Sequence, residues 1–122
     1  MANKTFYDLS VSESLCQSLE KLGIKEPTPV QAEAIPALRN GKDTIVQAQT
    51  GTGKTLAFLL PIYDRIKVQA DNIQTLILTP TRELTLQIDK VAAQLGKANG
   101  VRSLAIYGGQ DMERQLRRLR KC

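Results

Sequence analysis

The sequence predicts an α/β fold, in which a parallel sheet carries helices on both faces behind a short helical preface. Three apolar runs without polar alternation are predicted as buried strands, at residues 45–48, 75–79 and 101–107. A segment with helical character follows each run, at residues 54–68, 81–98 and 111–120. Buried strands separated by helices of ten or more residues are typical of parallel sheets.

Two helices are predicted before the first strand. The first begins at a capping box, Ser10-Val11-Ser12-Glu13, and stops at Gly23. The second begins at Thr28, ends near Asn40-Gly41, and is expected to be bent or shortened by Pro36. These elements divide the chain into a helical region, residues 1–42, and the first part of a sheet domain, residues 43–122.

Composition limits the class of protein. The chain has 122 residues, of which 42% are apolar, so it supports one modest core. Its longest apolar stretch, residues 56–63, is too short for a membrane span, and we expect no signal peptide. Cys16 and Cys122 have neither metal nor redox spacing, which suits a reduced, cytoplasmic protein. The absence of histidine excludes a histidine ligand or general base.

Positive charge is concentrated at the end of the chain. The net charge is +5, and residues 101–122 hold six of the 17 Lys and Arg but two of the 12 Asp and Glu. The cations of the last predicted helix are Arg114, Arg117, Arg118, Arg120 and Lys121. Two interpretations stay open: a nucleic-acid contact, or a solvated helix face opposite Met112, Leu116 and Leu119.

The strongest motif joins the first predicted strand to its helix. Residues 48–55 read A-Q-T-G-T-G-K-T. Glycines in this loop let successive N–H groups face phosphate oxygens, and the helix start adds partial positive charge. Lys54 would reach the β- and γ-phosphates, and the Thr55 hydroxyl would bind Mg²⁺. The predicted phosphate site consists of Gln49, Thr50, Gly51, Thr52, Gly53, Lys54 and Thr55. Ala48 departs from the usual glycine, and the alternative is a simple glycine-rich connector.

Three further segments each allow two interpretations. Gln31 either closes a capping box with Thr28 or reads adenine N6 and N7 with its amide fork. Arg82, after Pro80-Thr81, either binds a phosphate or pairs with a local carboxylate. Gly108-Gly109 is either an ordinary turn or a close approach to a nucleic-acid strand. Ligands of parallel sheets bind beyond the carboxyl ends of strands, so these strand exits are expected on one rim.

Taken together, the motifs resemble those of the DEAD-box RNA helicases over essentially the whole chain. The matching elements are Phe6, G-I-K-E-P-T-P-V-Q, A-Q-T-G-T-G-K-T, P-T-R-E-L-T-L-Q-I and Gly108-Gly109. The resemblance implies a P-loop NTPase fold, the amino-terminal part of a first RecA-like domain, with ATP and Mg²⁺ as cofactors. It gives Lys54 and Thr55 catalytic roles. It implies adenine contacts by Phe6, Lys25 and Gln31. It implies sequence-independent contacts to the RNA sugar-phosphate backbone by Pro80, Thr81, Arg82, Gly108 and Gly109.

The sequence also departs from the family. Thr85 stands where the family usually has alanine, which affects local packing only. The D-E-x-D segment, the Ser-Ala-Thr segment and the second domain do not occur before Cys122. We therefore expect nucleotide binding with poor hydrolysis, and an incomplete sheet that is unstable alone or self-associates. The alternatives are a P-loop ATPase or kinase without a nucleic-acid role, and a non-catalytic module that binds nucleotide or protein.

Overall fold

The computed structural model describes residues 5–49, 51 and 53–121. In these residues the chain forms the helices α1 (Glu13–Lys21), α2 (Pro29–Arg39), α3 (Lys54–Arg65), α4 (Arg82–Asn99) and α5 (Met112–Lys121). The chain divides by packing into two compact units, Met1–Arg65 and Ile66–Cys122. The predicted division of the chain at residue 42 stays a prediction.

The first unit has a largely aliphatic core, to which α1, α2 and α3 each contribute buried side chains. Its most deeply buried side chains are Leu19, Ile35, Leu59 and Leu60. Helices α2 and α3 pack against each other. The turn before α1 adds Phe6, Leu9 and Val11, which are also buried. This core holds the start of α3, and therefore the end of the glycine-rich loop, beside α2.

The caps show how the first two helices begin and end. Ser12, not Ser10, caps α1, because Ser10 has a φ of 63° and closes the preceding turn. The capping box of α2 is confirmed, since Thr28 and Gln31 exchange bonds of 3.4 Å and 2.9 Å. Helix α2 continues through Pro36 to Arg39 and is capped by Asn40, so Pro36 does not shorten it, and the alternative of a bend stays a prediction.

In the second unit, α4 has a cap at each end. Thr81 caps it by accepting from the Leu84 amide at 3.2 Å, and Gly100, with a φ of 70°, ends it. Ile88, Ala92 and Leu95 form its buried side. Helix α5 forms as predicted, but Met112 and Leu116 on its apolar side are exposed.

The predicted parallel sheet is not formed by the described residues. Residues 45–48, 75–79 and 101–107 contain no regular secondary structure there. Ile45 is 99% exposed, and Leu76 and Leu78 are 78% and 85% exposed. A strand becomes stable when a neighbouring strand satisfies its N–H and C=O groups, and the described residues supply no such ladder. The burial predicted for Ile45, Leu76 and Leu78 is therefore wrong, whereas the parallel sheet is not shown by the described residues and stays a prediction.

The expected instability or self-association of the incomplete sheet stays a prediction. Helix α3 also ends at Arg65, earlier than the predicted residue 68. Beyond it, the Gln74 side chain bonds both the N–H and the C=O of Lys67 at 2.9 Å, which closes a loop. None of the helices described above has the length and apolar character needed to cross a lipid bilayer.

Candidate functional site

The glycine-rich loop has the backbone that its sequence predicts at the two described glycines. Gly51 and Gly53 have φ angles of 85° and 86°, in the left-handed region that side chains with a Cβ rarely adopt. Helix α3 begins directly after Gly53, at Lys54. Its first N–H groups therefore lie at the end of the loop, where they suit an anion. Thr50 and Thr52 lie outside the described residues.

The loop cation already has one protein partner. Lys54 Nζ donates to the Ala48 carbonyl oxygen at 2.7 Å, across the two ends of the loop. An ammonium has three donors, so one bond to a neutral carbonyl leaves capacity for a phosphate. Lys54 and Gln49 are exposed, and Thr55 is half-buried beside them in sequence. The loop thus presents a cation, a hydroxyl and a helix start together.

Gln31 connects α2 to this loop. Its side chain is 2% exposed. Oε1 accepts from the Thr28 amide at 2.9 Å, and Nε2 donates to the Gly53 carbonyl oxygen at 3.1 Å. The capping interpretation is thus confirmed, and the same amide also holds the glycine-rich loop through Gly53. Sequence reasoning missed this second bond, because no spacing rule relates residues 22 positions apart.

The other two residues predicted at adenine lie in different environments. Phe6 is 3% exposed and belongs to the core of the first unit. Its ring would have to be uncovered to pack against a base. Lys25 is exposed in the connection between α1 and α2. The adenine contacts of Phe6, Lys25 and Gln31 stay predictions.

Three of the residues predicted to contact RNA come together in the second unit. Arg82 Nη2 donates to the Gly108 carbonyl oxygen at 2.6 Å. Gly109 has a φ of 86°, and a Cβ there would collide with the Arg82 guanidinium. Arg82 also lies over the Tyr107 ring, 5.5 Å from its centroid. The structure therefore shows Arg82 on a carbonyl and an aromatic face, not on the local carboxylate of the alternative interpretation.

Neighbouring threonines fix the start of α4. Thr81 is the cap, and Pro80 before it is exposed. Thr85 Oγ1 donates to the Thr81 carbonyl oxygen at 3.0 Å and also contacts the Thr79 hydroxyl closely. The additional hydroxyl at Thr85 therefore acts on local packing, as expected.

Two residues of this site were not found from the sequence. Tyr107 supplies the ring beneath Arg82. Gln115, which is 8% exposed, accepts a bond from the Tyr107 amide through Oε1 at 3.0 Å. A glutamine among the basic residues of α5 gives no sequence signal for such a bond. We define the Arg82 cluster as Arg82, Tyr107, Gly108, Gly109 and Gln115.

Comparison with solved structures identifies the class of fold. The RNA helicase Prp28 from Chaetomium thermophilum, bound to ADP, matches with a TM-score of 0.84 and 36% identity over 98% of this chain and 30% of that one. A DEAD box protein from the hyperthermophile Methanococcus jannaschii matches with a TM-score of 0.79 and 32% identity, over 97% of this chain and 33% of that one. The backbone of the chain therefore matches part of a RecA-like helicase domain, whose parallel sheet the described residues do not show.

Sequence comparison identifies the family. The DEAD/DEAH box helicase family matches residues 28–122. The chain is 50% identical over 117 residues to the DEAD-box ATP-dependent RNA helicase CshA of Bacillus cereus (strain ATCC 10987 / NRS 248), covering 96% of this chain and 22% of that protein. It is 44% identical to CshA of Bacillus subtilis (strain 168), covering 24% of that protein. The chain belongs to the DEAD/DEAH box helicase family, and it spans about a quarter of these relatives.

Proposed function

We propose that this chain is the ATP-binding part of an ATP-dependent RNA helicase, which couples ATP hydrolysis to unwinding or remodelling of RNA. The observation that carries the proposal is the bond from Gln31 to Gly53, because it joins the predicted adenine reader to the phosphate loop. The similar Prp28 structure is bound to ADP, which supports nucleotide binding as part of the proposal. A cytoplasmic location belongs to the proposal and rests on the lone cysteines.

In the proposed complex, the phosphate loop binds the ATP phosphates. Lys54 moves from the Ala48 carbonyl to the β- and γ-phosphates, where a charged acceptor makes a stronger hydrogen bond than a carbonyl does. The Gly53 backbone and the start of α3 supply N–H donors. These groups hold and orient the phosphates, and they neutralise charge in the reacting complex.

The residues present also fit Mg²⁺. The Thr55 hydroxyl lies on the first turn of α3, beside the proposed phosphate position, and would hold the ion together with phosphate oxygens. Mg²⁺ keeps water ligands readily, so a single protein hydroxyl is compatible with its binding. When bound, the ion supplies charge stabilisation on the phosphates.

The sheet and the RNA contact complete the proposal. Residues 45–48, 75–79 and 101–107 would pair as parallel strands within the longer domain to which relatives of this family extend. The Arg82 cluster would bind one phosphate of the RNA backbone, because a guanidinium held on one side keeps further N–H donors for an anion. The rivals without a nucleic-acid role predict that this cluster is only structural.

Gln31→Glu tests the adenine contact. Glutamate keeps an oxygen for the Thr28 amide but lacks the N–H₂ group, which donates to the Gly53 carbonyl and would also donate to adenine N7, so the preference for ATP over GTP is the measurement specific to adenine. We expect ATP affinity to fall about tenfold and the preference for ATP over GTP to shrink, as loss of one hydrogen bond in a specificity site predicts. Binding of fluorescent ATP and GTP analogues measures both. Gln17→Glu, on the exposed side of α1, is the control for added charge. Equal ATP and GTP affinities in the unmodified protein would remove the adenine role of Gln31.

Arg82→Ala tests the RNA contact. We expect affinity for single-stranded RNA to fall roughly three- to tenfold, and the slope of log affinity against log salt to shrink by about 0.7, as loss of one phosphate contact predicts. Titrations at several salt concentrations measure both. Arg102→Ala, which removes an exposed arginine of the same unit, is the control. ATP binding without RNA binding at low salt would favour the P-loop ATPase rival.

A further inference from the structure

We propose that Gln115 is a positioning residue for the RNA-backbone contact of Arg82, and that it acts through Tyr107. The inference rests on the proposed function, since it deepens the role of the Arg82 cluster. Gln115 lies on α5, and Arg82 begins α4. The two residues are linked by the Tyr107–Gly108 backbone and the Tyr107 ring.

The burial of Gln115 is the first observation. Within α5, the apolar Met112 and Leu116 are 72% and 47% exposed, whereas Gln115 is 8% exposed. Burying a polar side chain costs free energy unless it forms hydrogen bonds. Gln115 uses its oxygen for the Tyr107 amide at 3.0 Å. Hydrophobic burial alone does not explain this arrangement, so the bond to Tyr107 is the function that the structure assigns to the side chain.

The position of Tyr107 is the second observation. Its amide is held by Gln115, its ring lies beneath Arg82, and the next carbonyl, that of Gly108, accepts from Arg82 Nη2 at 2.6 Å. Holding the Tyr107 amide in place therefore positions both groups that contact the guanidinium, the Tyr107 ring and the Gly108 carbonyl. Gly109 contributes by lacking a Cβ, which would occupy the space of that guanidinium.

This arrangement prepares Arg82 for an anion. A long side chain loses freedom when it binds, and a side chain that is already ordered loses less. The carbonyl and the ring hold one side of the guanidinium, so its remaining donors keep a fixed direction for a phosphate. Loss of the Gln115 side chain should let the Tyr107 ring and the Gly108 carbonyl move, and so weaken RNA binding without removing a positive charge.

The experiment is a double-mutant cycle between residues 115 and 82. Gln115→Leu has similar size and lacks the acceptor. We expect it to lower RNA affinity about fivefold, as loss of one buried hydrogen bond predicts. Its effect should largely disappear in the Arg82→Ala background, because both changes remove the same contact. ATP affinity should be unchanged, because the proposed ATP site lies in the first unit.

Two further variants separate positioning from general damage. Gln94→Leu, at an exposed position of α4, should leave RNA affinity unchanged. Gln115→Glu keeps an acceptor oxygen and should restore most of the affinity that leucine loses, with Gln94→Glu correcting for the added charge. If Gln115→Leu does not fold, Tyr107→Leu replaces it in the cycle. This variant removes the ring beneath Arg82, and its loss of RNA affinity should likewise disappear in the Arg82→Ala background.

The outcomes distinguish this inference from the proposed function. An equal loss from Gln115→Leu with and without Arg82 would show a purely structural role and overturn the inference. An unchanged affinity in Gln115→Leu, with a loss in Arg82→Ala, would also overturn it and leave the RNA site intact. If Arg82→Ala itself has no effect while RNA still binds, both the RNA site and the inference fail. If Tyr107→Leu lowers RNA affinity equally with and without Arg82, the proposal that Gln115 acts through Tyr107 is also overturned.

Discussion

Lys54→Ala is expected to weaken ATP binding by roughly 10- to 100-fold, the effect of losing a hydrogen bond from a charged donor to phosphate. Lys54 is the cation of the glycine-rich loop, and the partner that it has among the described residues is the neutral Ala48 carbonyl. Its replacement therefore costs the free protein little and costs the complex a charge-assisted contact. The loss should be large for ATP and ADP and small for adenosine, which has no phosphate.

The measurement is nucleotide affinity by calorimetry, with thermal unfolding as a check on the fold. Lys42→Ala removes another exposed lysine before the loop and is the matched control. Lys42→Ala and Lys54→Ala change the net charge by the same amount, so the comparison separates a local contact from a general electrostatic effect. Equal ATP affinity in Lys54→Ala and the unmodified protein would contradict the phosphate assignment on which the proposed function depends.

The helices and their caps could be predicted because their causes are local. Thr28 and Gln31 are three residues apart, and Gly100 directly follows the last residue of α4. Each signal lies within one turn of the backbone group that it satisfies. The same holds for Gly51 and Gly53, whose positive φ angles follow from the loop sequence.

The strands could not be settled in the same way, because a strand is stabilised by residues distant in sequence. Apolar runs such as Leu76-Ile77-Leu78 record a preference for burial, and they stay exposed in the structure where no described neighbour pairs with them. The runs therefore indicate how these residues would behave in a completed sheet. They do not determine the structure of the chain by itself.

The candidate sites likewise have a part that could be predicted from the sequence and a part that could not. The glycine-rich loop and Arg82 could be selected as candidate sites from the sequence, because a motif contains the residue types that a ligand needs. The bonds that hold those residues were missed. Gln31 reaches Gly53 across 22 positions, and Arg82 reaches Gly108 across 26. Such contacts depend on packing between elements, which no local pattern in the sequence records.

The bond between α2 and the loop makes Gly53→Ala the most informative change in the first unit. A residue with a Cβ in the left-handed region costs about 1–2 kcal/mol. At Gly53 the new Cβ would also overlap Gln31 Nε2 and press on Thr28 Oγ1 at 3.2 Å. We expect Gly53→Ala to lower the free energy of unfolding by about 2–5 kcal/mol, the sum of strain and overpacking, and to weaken ATP binding.

Gly51→Ala is the matched control for that change. Gly51 has nearly the same φ, 85° against 86°, but among the described residues no atom lies within 4 Å of its added Cβ. It should therefore show the backbone strain alone, and chemical denaturation of both variants measures the difference. The collision at Gly53 should also shrink in the Gln31→Ala background, because truncation removes the overlapping amide. Equal costs for the two glycines, unchanged by Gln31→Ala, would show that Gln31 does not hold the loop through Gly53.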